Sequence, residues 1–343
     1  MSEIKRKSNM EQLQKIKDLL GDRFKENQIL SQHTTFRIGG PAKYFALIQS
    51  VEELEIICQW AEKKQISVFV MGGGSNVLVS NTGFDGLVIR LLMSKVKRKE
   101  EGLECDAGAF LSKSVGESLG AGLIGLEWAV GVPGTIGGAV RGNAGAYGGA
   151  TGDSVESVTV LRNGKIKELK NKDCHFDYRE SIFKANGNHD IIISATFKLK
   201  RGNDQELLEA KERMKKIARE RSAKMALAIK IEGQEECGYC AGSIFKNVVL
   251  TEKEVKEFKN KFPAFPEEFI KFKKIPASWL IDQLNLKGKS IGGASVSYGH
   301  AGFIINNGTA TAENIIMLVS IIKQKVRDHF GIQLMEEIEY VGF

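Results

Sequence analysis

Two glycine-rich segments are the part of this 343-residue chain whose composition and spacing most strongly suggest chemistry. The first is the string GGGSN at residues 72–76, and the second runs from residue 131 to residue 149 and contains eight glycines. Consecutive glycines lose much conformational entropy on folding, so bare backbone must be needed there. Clustered backbone N–H groups can cradle phosphate oxygens without side chains. Tight turns would explain one such cluster, whereas two favour a site for an extended anionic ligand.

The dinucleotide fingerprint of the common nucleotide-binding fold does not account for these glycines. Gly120, Gly122 and Gly125 match the G-x-G-x-x-G pattern letter for letter. However, they follow a helix-like segment rather than a strand, and no acidic residue lies between Glu127 and Asp153 to hold a ribose. We therefore interpret this match as accidental.

A second spacing with chemical potential is the C-x-x-C string formed by Cys237 and Cys240. Zinc normally requires four ligands, and no second C-x-x-C string is present. A redox role would need a βαβ context that the pattern does not show. We therefore expect no metal site. The odd total of five scattered cysteines favours reduced thiols in a cytosol.

The overall composition is that of an ordinary globular protein, with 42% hydrophobic and 27% charged residues. The formal net charge of +7 favours anionic partners such as nucleotides or sugar phosphates. Because the basic runs lack interleaved aromatic residues, we do not expect nucleic-acid binding. No apolar run is long enough to span a bilayer, and the N-terminus has no apolar core of a secretory signal.

Local patterns predict helices and strands in a mixed order that is typical of an α+β protein. Apolar periodicity and capping residues predict helices at residues 9–20, 51–64, 111–119, 205–225, 251–262, 277–284 and 312–330. Runs of β-branched residues predict strands at residues 67–70, 87–90, 103–106, 155–161, 191–199 and 334–341. Asn163-Gly164 predicts a type I′ hairpin turn after the fourth of these strands.

Four strings in order along the chain resemble one enzyme family. They are HTTFRIGGP at residues 33–41, GGGSN at 72–76, GVPGTIGG at 131–138 and NAGAYG at 143–148. This set is similar to the UDP-N-acetylenolpyruvoylglucosamine reductases, flavoenzymes that complete UDP-N-acetylmuramic acid for peptidoglycan. The resemblance runs from about residue 32 to the C-terminus. It implies a vanillyl-alcohol-oxidase-type (PCMH-type) FAD-binding domain followed by a smaller α+β substrate-binding domain.

The resemblance also implies noncovalent FAD, reduced by NADPH, with the two glycine segments holding the pyrophosphate and flanking the flavin ring. The residues that it assigns to the cofactor are Arg37, Gly72, Gly73, Gly74, Ser75, Asn76, Pro133, Gly134, Thr135, Gly137, Gly138, Asn143, Ala144 and Gly145.

Three further strings match the family's catalytic motifs and assign roles to Arg179, Ser243 and Glu337. Arg179 would bind the substrate carboxylate with two parallel hydrogen bonds. Ser243 would deliver a proton to the carbon next to the one that receives hydride, and Glu337 would stabilise the enolate. Individually, each residue has a more ordinary explanation as a surface arginine, a turn serine or a solvated glutamate. Glu336 is the alternative to Glu337.

The substrate contacts implied by the resemblance are Tyr147, Lys246, Asn247 and His300. No tyrosine lies between Tyr178 and Tyr239, so the chain resembles the family's shorter form, which lacks a mobile tyrosine lid. Residues 235–240 replace a proline-containing segment that the family tends to have before the serine.

The resulting expectation is an N-terminal helical extension (1–29), an FAD-binding domain (30–202) and a substrate-binding domain (203–343). The last strand, 333–343, would return to the active site. A cytoplasmic monomer that reduces UDP-N-acetylglucosamine enolpyruvate, with no membrane insertion, is expected. Two alternatives stay open at this point. One is another FAD-linked oxidoreductase of the same fold that acts on a sugar or hydroxy acid, and the other is a non-catalytic nucleotide- or RNA-binding protein.

Overall fold

The computed structural model describes residues 3–185, 187–231, 237–263 and 265–343, with side chains described from residue 11 onward. The chain forms two compact units, each assembled from separate stretches of sequence. Unit 1 comprises Met1–Ile29, Pro41–Gly74 and Gly83–Ser222. Unit 2 comprises Leu30–Gly40, Ser75–Thr82 and Ala223–Phe343.

Helices and strands alternate irregularly along the chain, which confirms the predicted α+β class. The helices are α1 Glu3–Leu20, α2 Val51–Lys63, α3 Leu111–Gly120, α4 Ile136–Arg141, α5 Thr151–Ser154, α6 Asp204–Ala228, α7 Glu252–Lys261, α8 Glu267–Phe272, α9 Ala277–Gln283 and α10 Ala312–Phe330. The strands are β1 Phe24–Ile29, β2 Pro41–Ile48, β3 Val68–Val70, β4 Val77–Val79, β5 Phe84–Leu91, β6 Val96–Lys99, β7 Gly102–Asp106, β8 Leu123–Ile124, β9 Gly145–Ala146, β10 Gly149–Ala150, β11 Val155–Arg162, β12 Lys165–Lys170, β13 Ile191–Lys198, β14 Lys200–Arg201, β15 Val248–Val249, β16 Lys274–Ile275, β17 Ser290–Ile291, β18 Ala294–Val296, β19 Ile304–Asn306 and β20 Glu339–Val341.

Unit 1 contains two main sheets. The first has the order β1-β2-β5-β3, in which β5 runs parallel to both β2 and β3, and β1 is antiparallel to β2. β2 and β3 lie on either side of β5 and run in the same direction, and α2 forms the crossover connection between them. The second sheet is fully antiparallel, with the order β12-β11-β13-β7-β6.

Local sequence explains where several of these elements begin and end. The Ser50 hydroxyl accepts a hydrogen bond from the Glu53 N–H and so caps the start of α2. The β11–β12 hairpin turns at Asn163 and Gly164, whose φ angles of 51° and 68° are both positive, as a type I′ turn requires. This turn and α2 confirm the sequence prediction.

Unit 2 places helices around small sheets. β18 lies between β17 and β19, and β4 pairs in parallel with β20, the final strand of the chain. α10 begins at a cap in which Thr311 Oγ1 accepts from the Asn314 N–H, and it ends at Gly331, whose φ of 72° is left-handed. Its buried face packs in one apolar core with Phe36, Ile38 and Leu78.

Two sequence predictions differ from the structure. The predicted strand at 334–341 contains only β20 as regular strand, because its first residues make isolated bridge contacts with the segment around Phe245. The helical extension predicted for residues 1–29 includes β1, which pairs with β2 in unit 1. Ile16 and Leu20 of α1 are buried in the same core, so this segment is part of the unit.

The predicted domain boundary at residue 203 does not coincide with a boundary between the compact units. α6 begins directly after that position, at Asp204, and the units divide near its C-terminal end, after Ser222. Unit 2 also includes two early stretches of chain that local sequence patterns placed in the first domain. Among the residues that the structure describes, no helix combines the length and apolar character needed to cross a membrane.

Candidate active site and cofactor cradle

The two glycine segments approach each other closely within unit 1. A Cβ atom placed on Gly72 would lie 2.7 Å from Thr135 Oγ1, and one placed on Gly73 would lie 3.0 Å from the Gly134 Cα. Gly74 and Gly134 have positive φ angles of 65° and 116°. Glycine is therefore required both by backbone conformation and by the short distance between the segments. We call these two segments, 72–74 and 134–135, the glycine cradle.

Backbone donors are available in the cradle. Within the described part of the chain, the N–H groups of Gly72, Gly73 and Gly134 donate no hydrogen bond. Buried or half-buried backbone N–H groups normally have a partner, so unused donors indicate a place for an external acceptor. This donor set, with no side chain projecting from the glycines, fits a phosphate group.

Two other predicted cofactor glycines already have local roles. The Gly137 N–H donates to the Ala107 carbonyl at 2.8 Å, and a Cβ on Gly137 would lie 3.1 Å from the Ala107 Cβ. Gly138 donates its N–H to Thr135 Oγ1 at 3.4 Å, which caps the start of α4. Close packing and helix capping therefore account for these two glycines. Pro133 precedes them and is exposed.

The loop after α4 contains several of the predicted residues and has unusual backbone geometry. In this loop Asn143 and Tyr147 adopt left-handed φ angles of 40° and 49°, and Arg179, from a later segment that contacts the loop, has a φ of 59°. Left-handed backbone is uncommon outside glycine and often occurs at functional sites. Asn143 stabilises the arrangement, because its amide donates to the Asp177 carbonyl and accepts from the Gly152 N–H, both at 2.8 Å.

Arg179 is anchored to this loop. Its Nη2 donates to the Gly145 carbonyl at 2.9 Å, and its Cζ lies 5.3 Å from the centre of the Tyr178 ring. The side chain is half-buried. Ala144 lies next to this contact, and its carbonyl accepts hydrogen bonds from both the N–H and the hydroxyl of Thr151. The guanidinium is thus held in a restrained position by backbone and aromatic contacts.

In unit 2, Ser243 and Glu337 belong to neighbouring backbone segments. The Glu337 N–H donates to the Ile244 carbonyl at 2.7 Å, and the Ile244 N–H donates to the Gly302 carbonyl at 3.0 Å. Ser243 is exposed and follows Gly242, whose φ is 76°. Backbone hydrogen bonds therefore hold the serine and the glutamate on adjacent segments.

The structure distinguishes the two adjacent glutamates near the C-terminus. Both carboxylate oxygens of Glu336 accept hydrogen bonds from Lys323, at 2.9 and 3.1 Å. The Glu337 carbonyl accepts from the Asn76 amide at 3.0 Å, which ties this residue to the end of the GGGSN string. Glu336 is thus engaged in an ion pair with Lys323 of α10, which favours Glu337 as the catalytic candidate of the two. Ser75 is half-buried and precedes Asn76 within unit 2.

Comparisons with known proteins identify the family. Residues 42–170 match the model of an FAD binding domain, and residues 234–341 match the model for the C-terminal domain of UDP-N-acetylenolpyruvoylglucosamine reductase. The chain is 35% identical over 318 residues to the UDP-N-acetylenolpyruvoylglucosamine reductase of Solibacter usitatus, covering 91% of this chain and 95% of that protein. It is 33% identical to the reductase of the same name from Clostridium novyi, over 94% and 93% of the two chains.

This chain belongs to the UDP-N-acetylenolpyruvoylglucosamine reductase family. The crystal structure of the Thermus caldophilus UDP-N-acetylenolpyruvylglucosamine reductase is similar, with a TM-score of 0.68 and 30% identity over 92% of this chain and 97% of the other. The family assignment confirms the resemblance stated from the motifs, and the matched FAD binding domain spans both glycine cradle segments and α4.

The other residues expected to bind substrate in this reductase family lie in both units. Tyr147 is in unit 1, whereas Lys246, Asn247 and His300 are in unit 2. The Asn247 side-chain oxygen accepts from the Ala277 N–H at 3.2 Å, at the start of α9. The Lys246 N–H donates to the Met335 carbonyl at 2.9 Å, which continues the pairing beside Glu337.

His300 has an environment that holds the ring neutral. Its Nδ1 accepts from the Gly302 N–H at 3.2 Å, and its ring centre lies 4.7 Å from that of Phe303. Burial lowers the pKa of His300 to about 4, and the charge of Lys224 adds to this effect. The ring therefore carries no charge at neutral pH.

Arg37 is the predicted cofactor ligand furthest from the glycine segments in sequence, and it belongs to unit 2. It has a left-handed φ of 55°, and its Cζ lies 5.9 Å from the centre of the Tyr239 ring. The buried amide of Asn306 donates to the Phe36 carbonyl at 2.8 Å and so holds the preceding residue. Motif reading did not identify this supporting role of Asn306.

Two arginines of α6 were also missed by reasoning from motifs. Arg213 donates to the Tyr147 carbonyl at 3.1 Å, and the Arg221 Cζ lies 5.2 Å from the centre of the Tyr147 ring. Burial, together with the nearby charge of Arg179, lowers the pKa of Arg221. Its Nε is buried without a hydrogen-bond partner among the residues described.

The two cysteines of the C-x-x-C string have different surroundings. Cys237 is exposed and Cys240 is buried, and both are free thiols. Burial raises the pKa of Cys240, as expected for a packed thiol. In the ranges that the structure covers, no group of three or more His, Cys, Asp or Glu side chains could hold a metal ion. Residues 235 and 236 of the altered segment before Ser243 lie outside the described residues.

Proposed function

We propose that this chain uses noncovalent FAD and NADPH to reduce UDP-N-acetylglucosamine enolpyruvate to UDP-N-acetylmuramate. The observation that carries the proposal is the near full-length similarity to reductases of that name. The close approach of two bare-backbone segments with unused N–H donors supports it independently. A cytoplasmic step of peptidoglycan synthesis is the corresponding role in the cell.

The cofactor assignment is supported by the fit of the glycine cradle to a phosphate group. FAD, when bound, supplies a carrier that takes hydride from NADPH and gives it to the substrate. Gly72, Gly73 and Gly134 would donate backbone hydrogen bonds to the pyrophosphate, and they leave no side chain in its way. No histidine lies in either glycine segment, so the proposed attachment is noncovalent.

Arg179 is proposed to bind the carboxylate of the enolpyruvyl group. Hydride addition at the terminal carbon of the double bond places negative charge on an enolate conjugated with this carboxylate. A guanidinium with five N–H donors can stabilise such charge, and most effectively when it is already oriented. Its contacts with Gly145 and Tyr178 supply that orientation before substrate binds.

Ser243 is proposed to donate the proton that completes the reduction, at the carbon next to the one that receives hydride. Glu337 is proposed to stabilise the enolate through a hydrogen bond. Their adjacent backbone segments are linked through the Ile244 carbonyl, so a shift of one segment is passed to the other. Tyr147, Lys246 and Asn247 are proposed to contact the substrate.

Anaerobic mixing of the purified protein with NADPH, and then with UDP-N-acetylglucosamine enolpyruvate, tests this function. We expect a yellow protein that is bleached by NADPH and regains its colour when the enolpyruvate is added. Recovery with a sugar or hydroxy acid, but not with the enolpyruvate, would assign the chain to another FAD-linked reaction. A colourless protein that does not retain added FAD, and that binds RNA in a salt-sensitive manner, would contradict an enzymatic role.

We also propose that the protein acts as a monomer and needs no nucleic acid for activity. The division into an FAD-binding part before residue 203 and a substrate-binding part after it also stays a proposal about function. A gel-filtration mass near the chain mass of 37.8 kDa would support the monomer.

A further inference from the structure

We propose that His300 is a positioning residue, whose ring nitrogen holds the backbone that carries Ser243 and Glu337. This inference rests on the proposed function for its kinetic consequences, although the structural role itself can be tested without activity. It differs from a direct substrate contact, which is the role that the family resemblance suggests for this position.

His300 is held through both its backbone and its ring. Its backbone N–H donates to Ser297 Oγ at 3.1 Å, and the Ser297 hydroxyl donates to the Ala228 carbonyl at the end of α6 at 2.6 Å. The ring packs against Phe303, with 4.7 Å between ring centres. The backbone hydrogen bond fixes the position of the residue, and the contact with Phe303 limits the rotation of its ring.

The ring also lies directly on Gly302. A Cβ placed on that glycine would be 3.0 Å from His300 Cε1, 3.2 Å from its Nδ1 and 3.2 Å from the Ser278 Cβ. A side chain at 302 would therefore press on the imidazole and push it from this position by a few tenths of an ångström. The hydrogen bond from the Gly302 N–H to Nδ1 spans 3.2 Å.

From Gly302 a continuous run of backbone hydrogen bonds reaches the proposed catalytic residues. The Gly302 carbonyl accepts from the Ile244 N–H at 3.0 Å, and the Ile244 carbonyl accepts from the Glu337 N–H at 2.7 Å. Ser243 also forms a β-bridge with Phe303. The segment that contains Ser243 thus lies between the Gly302–Phe303 segment and the Glu337 segment. His300 stabilises the first of these two through its hydrogen bond with Gly302.

The role requires a neutral imidazole, because a protonated Nδ1 cannot accept the Gly302 N–H. Burial holds the pKa of His300 at about 4, with Lys224 and Lys287 lowering it and Asp282 raising it. At neutral pH the Nδ1 lone pair is therefore available. The assigned tautomer places the remaining ring proton on Nε2.

Three variants separate positioning from substrate contact. His300→Ala removes the acceptor. His300→Asn replaces it, because an asparagine oxygen readily accepts the N–H two residues further along, as in an Asx turn. His189→Ala, at an exposed position in unit 1, is the control for loss of a histidine.

Stopped-flow measurements of both half-reactions give the kinetic result. We expect His300→Ala to slow reoxidation by the enolpyruvate about tenfold, since small misplacements of catalytic groups are costly. Flavin reduction by NADPH and the KM for the enolpyruvate should be unchanged. His300→Asn and His189→Ala should stay within about threefold of the wild type. Equal losses in His300→Ala and His300→Asn, or a loss confined to KM, would show that the ring contacts substrate instead.

Hydrogen–deuterium exchange provides a result that does not depend on activity. In His300→Ala we expect the peptide around Gly302 to exchange about fivefold faster, the effect of losing one hydrogen bond. His300→Asn should restore the protection. Unchanged exchange in His300→Ala would overturn the positioning role even in an active enzyme. If the wild type retains no FAD and reduces no enolpyruvate, the proposed function fails, while the exchange measurement still decides the structural role.

Discussion

Substituting Gly73 by alanine tests the glycine cradle with the smallest possible change. The added Cβ would lie 3.0 Å from the Gly134 Cα, whereas ordinary contacts of this kind begin near 3.4 Å. Both partners are backbone, so no flexible side-chain end can give way, and the segments must separate by about 0.4 Å. The φ of Gly73 is not left-handed, so the effect is purely steric. Overpacking of this kind costs about 1–3 kcal/mol.

We expect this strain to appear mainly as weaker cofactor binding, because the displaced backbone carries the donors proposed for the pyrophosphate. If the whole cost falls on binding, 1–3 kcal/mol corresponds to a dissociation constant for FAD about five- to 150-fold higher. Titration of the apoprotein with FAD, followed by quenching of flavin fluorescence, measures this constant. Thermal unfolding with and without FAD then separates affinity from stability, since a weaker ligand raises the midpoint less.

Gly116→Ala in α3 is the matched control in the same unit. A Cβ on Gly116 would have no atom within 4 Å, and alanine is favoured over glycine in a helix by about 1 kcal/mol. This variant should be slightly more stable and should bind FAD like the wild type. If Gly73→Ala also binds FAD with wild-type affinity, the segments are only tight turns, and the cradle interpretation is wrong.

Three further predictions concern the proposed chemistry in unit 2. Ser243→Ala should leave flavin reduction by NADPH unchanged. It should slow reoxidation of the flavin by the enolpyruvate at least about 100-fold in stopped-flow experiments, because a positioned proton donor is lost. Wild-type turnover in this variant would show that Ser243 is not the proton donor. Glu337→Gln should slow the same half-reaction. Glu336→Gln should instead only lower the free energy of unfolding by about 1 kcal/mol, measured by urea unfolding, because it breaks the partly buried ion pair with Lys323. Slower reoxidation in Glu336→Gln, with only a loss of stability in Glu337→Gln, would exchange the two assignments. Between about pH 6.5 and pH 4 an unfolded chain binds a proton at His300 that the native protein excludes, so native stability should fall by up to ~3 kcal/mol as the pH drops through this window. Urea midpoints at pH 7 and 4.5 should show a smaller drop for His300→Asn, and an equal drop would contradict the neutral buried ring.

Elements defined by local patterns could be predicted from the sequence. The Asn163-Gly164 turn and the Thr311 cap of α10 depend on residues close together in the chain. The partner of β20 could not be predicted in this way, because it is β4, and Asn76 and Glu337 are 261 positions apart. The composition of unit 2, which takes in Leu30–Gly40, depends on equally distant contacts.

In the candidate site, too, features set by local sequence could be predicted, whereas features set by tertiary contacts could not. Motif spacing identified the glycine segments, but it could not distinguish Gly73, which meets the opposite segment, from Gly137, which packs on Ala107. It also overlooked Arg221 and Asn306, whose contacts depend on tertiary structure. A helical arginine and a strand asparagine look ordinary until their neighbours are known.

The pairing of β4 with the final strand has a consequence for synthesis on the ribosome. Residues 75–82 emerge early, yet their partner β20 is translated 261 positions later, as counted from Asn76 to Glu337. At about 5–20 residues per second this interval lasts roughly 13–50 s. During that time Leu78, which is fully buried in the finished protein, lacks both its partner strand and the later residues of the core in which it packs. Nascent chains of this protein should therefore depend on chaperones that shield early apolar segments until translation ends.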